Sequence, residues 1–102
     1  MRFTLLRGKR PAEALRLWID FSADVAKVVG DTPASAEVKA FDPAGSDVTS
    51  NQVRDVTREG NVVYATFYGG SPSGDHSVRY TLTTSGGFVY EHDILVRIGN
   101  TV

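Results

Sequence analysis

The sequence predicts an all-β domain, an immunoglobulin-like antiparallel sandwich of about six or seven short strands with a flexible N-terminal arm. Three observations carry this expectation. Alternating apolar and polar residues recur along the chain, as strands with one buried face require. Turn signals separate these runs at intervals of roughly eight to twelve residues. The last third, Ser77 to Ile98, reads as two alternating runs around Ser85-Gly86-Gly87, whose glycines supply the positive φ of a short hairpin loop.

Composition sets the limits. The chain has 102 residues, enough for one core and too few for two domains. Residues 1–13 read as an arm and residues 14–102 as one sandwich domain. Eleven basic residues face 12 acidic ones, which removes the usual electrostatic case for nucleic acid. The absence of cysteine excludes disulfides and thiolate metal sites. The apolar run Phe3 to Leu6 is far shorter than the 7–15 or so residues of a signal core, and no window approaches the roughly 20 apolar residues of a membrane span. Synthesis in the cytoplasm with no membrane partner is the expectation.

The arm carries Arg2, Arg7, Lys9 and Arg10 with no acid before Glu13, and Pro11 ends whatever precedes it. Its two readings are a solvated terminus and a basic arm that orders on a partner. Leu15, Leu17, Ile19 and Phe21 then alternate with Ala14, Arg16, Trp18 and Asp20, which marks the first strand. Trp18 falls opposite the Leu/Ile/Phe row, so it either covers an edge of the core or stands exposed at an interface. Ser22 to Gly30 suits a connection holding one helical turn, capped by Ser22 and closed by Gly30. Ala36, Val38 and Ala40 alternate through the next strand, which ends at the turn Asp42-Pro43-Ala44-Gly45.

Ser46 to Gly60 is the least patterned stretch. Val48 and Val56 fit short strands with a bend between them, and a helix has little support. Asn61 to Tyr68 is apolar on both faces, so it belongs at the centre of a sheet or under cover. Gly69 to Asp75 is a flexible loop, and Ser71, Pro72 and Ser73 at its middle are contact candidates, since loops carry recognition on rigid scaffolds.

No catalytic chemistry emerges. Glu91 and Asp93 share one face of a strand while His92 takes the other, so the triple does not converge. His76 and His92, if opposed across the hairpin, give two ligands where zinc takes three or four. No serine lies in a nucleophile elbow, and the Gly69 to Gly74 loop lacks the ending of a phosphate loop. Tyr64, Phe67, Tyr68, Tyr80, Phe88 and Tyr90 are not interleaved with a basic stripe and alternate as core and cross-strand residues do. The expectation is a non-enzyme with no catalytic residue, metal or cofactor.

Two segments, Arg10 to Ser22 and Tyr80 to Gly87, together with Gly30-Asp31-Thr32 and the final Ile94-Leu95-Val96-Arg97-Ile98, resemble a family of small immunoglobulin-like virion proteins of tailed bacteriophages, the fibre–tail adaptors. The resemblance runs from Arg10 to Ile98 and is one of strands and turns. It implies a virion structural protein that docks fibres onto the tail or neck ring, multimeric in the particle. Capsid decoration is the alternative within that class, and a carbohydrate-binding module, using Trp18 with Tyr68 or Tyr90, is the rival outside it. The middle segment is more charged than the family pattern, with Arg54, Asp55, Arg58 and Glu59, which marks a partner-specific surface. The partner-binding candidates are thus Arg7, Lys9, Arg10, Trp18, Arg54, Arg58, Ser71, Pro72 and Ser73.

Overall fold

A computed structural model of the chain describes residues 2–5, 8–70 and 74–99. Seven strands form two sheets: β1 (Arg2–Leu5), β7 (Val89–Ile98), β6 (Gly74–Thr84) and β3 (Pro33–Phe41) lie side by side in one, and β2 (Ala14–Asp20), β5 (Val62–Tyr68) and β4 (Val53–Glu59) in the other. The all-β sandwich expected from the alternation is present. Every pairing is antiparallel except that of β1 with β7, which is parallel. Lettered A to G in chain order, the sheets read A-G-F-C and B-E-D. These are the neighbour relations of an immunoglobulin sandwich, with the first strand paired to G.

The core lies between the sheets. Val63, Ala65 and Phe67 of β5 face Val78, Tyr80 and Leu82 of β6, all essentially without solvent contact, and Phe21, Val38, Ala40, Ile94 and Val96 close the ends and sides. Sealing a side chain such as Phe67 stabilises the fold by roughly 1.5–3 kcal/mol. As its two apolar faces suggested, β5 is the central strand of its sheet. Tyr80 ties the sheets together: its hydroxyl donates to Leu17 O on β2 at 2.9 Å, wholly inside the core. Burial pushes the Tyr80 phenol's pKa up, so it stays a neutral donor.

The stretch expected to be a flexible arm looks different at its described residues. Arg2–Leu5 is strand β1, Lys9 N donates to Arg97 O at 2.7 Å, and Gly99 N donates back to Lys9 O at 3.0 Å. The Lys9 side chain is fully buried, with its ammonium donating to the carbonyls of Arg10 (2.8 Å), Pro11 (3.2 Å) and Gly69 (2.7 Å). A cation can be buried there because three carbonyl oxygens replace its water.

Two short helices interrupt the strands. α1 (Ser22–Val25) follows β2, and its Ser22 is the first helical residue and not the cap; the Asp20 carboxylate instead accepts from Ser22 N at 2.9 Å. α2 (Thr49–Gln52) sits where a helix has little support in the sequence. It exists because tertiary contacts hold it: Val48 N donates to Ala40 O at 2.9 Å, and the Thr49 hydroxyl accepts from Ala40 N at 2.9 Å, which fastens the segment to the edge of β3. β4 then runs with a register shift between Arg54 and Thr57, where Asp55 takes φ 54°. This bulge explains why no period of two is visible there.

The registers sort the connections into two ends. The β2–β3 connection with α1, the Gly60-Asn61 turn and the β6–β7 turn gather at one, while Lys9 to Glu13, Asp42 to Asp47 and Gly69-Gly70 gather at the other. The long axis spans 46 Å against 22 and 21 Å across.

Candidate functional site

Two exposed regions carry the residues suited to contact. The first is the outer face of the β2-β5-β4 sheet. Residues 14, 16, 18 and 20 of β2 lie beside 68, 66, 64 and 62 of β5, so Arg16, Trp18, Tyr64, Thr66 and Tyr68 share one face. Trp18 is 58% exposed, and its ring centroid is 6.2 Å from that of Tyr64. The Arg16 guanidinium lies 5.6 Å from the Tyr64 ring and donates to Thr57 Oγ1 (2.7 Å), Thr66 Oγ1 (3.2 Å) and the carbonyl of Asp55. Arg54 stacks 4.6 Å from the Tyr68 ring. Each guanidinium is thereby held over a tyrosine ring, a pre-organised arrangement of the side chains that dominate protein interfaces.

The second region is the loop end. Val29 is fully exposed, Phe88 46% and Val89 58%. The loops bearing them are locked to one another. Ser85 N donates to Thr32 O at 2.8 Å, Gly86 N to Asp31 Oδ1 at 3.0 Å, and the hydroxyls of Thr32 and Ser85 bond to each other. Asp31 Oδ1 also accepts from Thr32 N at 3.0 Å. The Thr84 hydroxyl, with the amides of Gly86 and Thr32, outweighs burial and holds the Asp31 carboxyl below the usual carboxylate range. Nearby, Lys27 lies 5.6 Å over the Tyr90 ring, and Phe21 meets His92 edge-on at 5.4 Å. The loop end is therefore an apolar tip on a stiff, hydrogen-bonded base.

The residues singled out from sequence scatter across this surface. Trp18 and Arg54 come together on the outer face. Arg58 falls on the opposite side of β4, where its guanidinium donates to Gly60 O at 2.8 Å. Arg10 is exposed at the far end, with its amide donating to Glu13 Oε1 at 2.6 Å. Lys9 is spent inside the fold and presents nothing to a partner, a correction to its reading as a contact residue. Arg7, Ser71, Pro72 and Ser73 lie outside the described residues. The aromatic neighbour of Trp18 is Tyr64, not Tyr90, which belongs to the other sheet. His76 sits opposite Val96 and His92 opposite Tyr80, so the two histidines do not face each other. Among the described residues no three His, Asp or Glu side chains converge as metal ligands would. Asp93 serves structure: the Arg79 Nε and an Nη donate to its two oxygens at 3.0 and 3.2 Å.

Arg16, Tyr64, Val29, Phe88 and Val89 were not anticipated. Only the register brings Tyr64 beside Trp18. Phe88-Val89 carried a signal, because two large apolar residues directly after a Gly-Gly turn have little chance of both facing a core.

The family profile of the podophage GP4 fiber-tail adaptor protein gp77 matches residues 9–97. The chain belongs to this fibre–tail adaptor family. The matched span begins at buried Lys9 and takes in the outer sheet face and the loop end alike, so both are parts of the adaptor domain itself. Adaptors of this kind are structural components of the virion that contact other tail and fibre proteins, and the family is not an enzyme class. No curated protein matches the chain.

Proposed function

We propose that the protein is a rigid adaptor that docks a fibre onto the tail or neck of the particle, with the loop end as its point of insertion. The observation that carries this reading is the exposure of Val29, Phe88 and Val89 on loops fixed by the Asp31, Thr32, Ser85 and Gly86 hydrogen bonds. An apolar tip in water is costly unless a partner covers it. A tip already in its bound shape loses little entropy on docking. In a particle with many copies, a modest contact per subunit suffices, because each attachment raises the effective concentration of the next.

The test is mass spectrometry of purified particles separated into heads and tails, for the native protein and for Phe88→Asp with Val89→Asp. The native chain is expected in the tail fraction with fibre protein. The variant is expected to keep its far-UV circular dichroism and vanish from tails. Recovery of the native chain with heads and not with tails would replace the adaptor role with capsid decoration. Undiminished incorporation of the variant would move the docking point away from the loop end.

A further inference from the structure

Among the described residues the two sheets have four edges, and three of them are protected. β3 begins with Pro33 and a register shift, and Val48 with Thr49, the first residue of α2, satisfies both edge groups of Ala40. β4 is broken by the bulge at Asp55. β1 is only four residues long. Bulges, prolines, short strands and covering segments are the means by which edges avoid pairing with other chains.

β2 has none of these. Its seven residues keep one uninterrupted register with β5, without proline, bulge or lysine. Phe21 N donates to Asn61 O, continuing that register, so Leu15, Leu17 and Ile19 exchange their backbone bonds with β5. The N–H and C=O groups of Ala14, Arg16, Trp18 and Asp20 therefore point outward from the sheet. In an immunoglobulin sandwich the first strand pairs with this edge. Here β1 pairs with β7, and no strand of the described residues takes the place beside β2.

The geometry points to a second copy of this chain as the occupant, pairing β2 to β2 antiparallel about a two-fold axis at Leu17. The sequence of the strand is complementary to itself in that register. Arg16 falls opposite Trp18 of the second copy, and Trp18 opposite its Arg16; with each guanidinium reaching back over β5 to Thr57, the aliphatic stem of Arg16 lies beside the indole twice on the outer face. On the inner face Leu17 meets Leu17, and Leu15 meets Ile19. These are the core-facing residues left slightly exposed, as edge positions are: Leu17 and Ile19 each keep 8% of their surface, whereas Val63 beside them keeps none. The outward N–H and C=O groups of residues 14, 16, 18 and 20 pair with those of 20, 18, 16 and 14. The result is one continuous six-stranded sheet, with both loop ends left free. A symmetric, isologous contact of this size makes a weak, reversible dimer.

Sedimentation velocity over a concentration series tests the pairing, with Trp18→Pro and Trp18→Lys as variants. Proline at position 18 removes an outward N–H and no ladder bond, so the sandwich is retained; Trp18→Lys keeps the backbone intact and sets a cation directly opposite Arg16 of the second copy. A reversible dimer is expected for the native chain, weakened at least about tenfold by either variant. Because the chain has no cysteine, an equal mixture of Arg16→Cys and Trp18→Cys proteins reports the register by disulfide formation. Covalent heterodimers are expected to form faster in the mixture than homodimers form in either variant alone. A native chain that is monomeric at every concentration, or a dimer indifferent to both Trp18 variants, would overturn the proposal. So would crosslinking no faster in the mixture. A monomer that loses a fibre or tail partner on Trp18→Pro would instead assign the edge to a foreign strand.

Discussion

Lys9 and Tyr80 show how single side chains fix this fold. Burial pushes the Lys9 ammonium's pKa down, partly offset by the carboxylate of Glu13, and three carbonyls hold it in place. Lys9→Met removes the ammonium donor from those carbonyls, of which Arg10 O keeps the Glu13 amide, and is expected to cost about 1–3 kcal/mol in urea unfolding. Tyr80→Phe keeps the ring and removes only the bond to Leu17 O, so a smaller loss of about 1 kcal/mol is expected from the same measurement. Asp31 adds a pH dependence. Its folded carboxyl titrates below its unfolded value, so its contribution is complete above about pH 4 and is lost as pH falls through the lowered value. Exchange protection of the Gly86 amide, which donates to Asp31, is expected to fall over that window, and to be low at all pH values in Asp31→Ala. None of the three roles was legible in the sequence. Each depends on a partner distant along the chain, such as Leu17 for Tyr80 and Gly86 for Asp31.

At the scale of elements, legibility followed the regularity of the pairing. β2, β3, β5 and the β6–β7 hairpin alternate because each has one face against the core, and their periods survive in the sequence. β4 does not, since the bulge at Asp55 shifts its register and its solvent-facing residues carry no pattern. α2 was hidden for another reason: four residues have negligible intrinsic helicity, and the contacts to Ala40 that hold it are invisible in one dimension. β1 was hidden by its partner, because parallel pairing with β7 joins opposite ends of the chain. Gly69-Gly70 was readable as loop, but its close approach to β7 was not. Gly70 has φ 86°, and a Cβ there would stand 2.5 Å from Ile98 Cδ1. Gly70→Ala combines backbone strain with a clash in the core and is expected to destabilise by about 2–4 kcal/mol, measured as a lowered urea midpoint with unchanged slope.

The whole molecule is a stiff rod with contact chemistry separated by position. The apolar tip occupies one end, the arginine–aromatic face one side, and the open β2 edge the flank beside that face. The candidate site was only partly legible for this reason. Sequence singled out Trp18 and Arg54, which sit on the outer face, but charge alone also drew in Lys9 and Arg58, which the fold turns elsewhere. Val29, Phe88 and Val89 were overlooked because exposure is a property of the assembled end and not of any one loop. With β1 and Lys9 paired to β7, deletion of residues 1–12 is expected to lower stability markedly, by urea unfolding, and not merely to weaken assembly.

The parallel alignment of β1 with β7 also has a mechanical consequence. Arg2 lies beside His92 and Leu5 beside Leu95, with Lys9 beside Ile98, so the pair runs side by side in one direction. Tension applied between Arg2 and Ile98 pulls the two strands past each other lengthwise. All the bonds between them, including Lys9 N to Arg97 O and Gly99 N to Lys9 O, then bear load together and must break at once. An antiparallel hairpin pulled from its two open ends instead releases its bonds one after another. In force spectroscopy the chain pulled through Arg2 and Ile98 is expected to resist more than the same chain pulled through Gly74 and Ile98, which unzips β6 from β7. A joint built this way holds hardest along its own length.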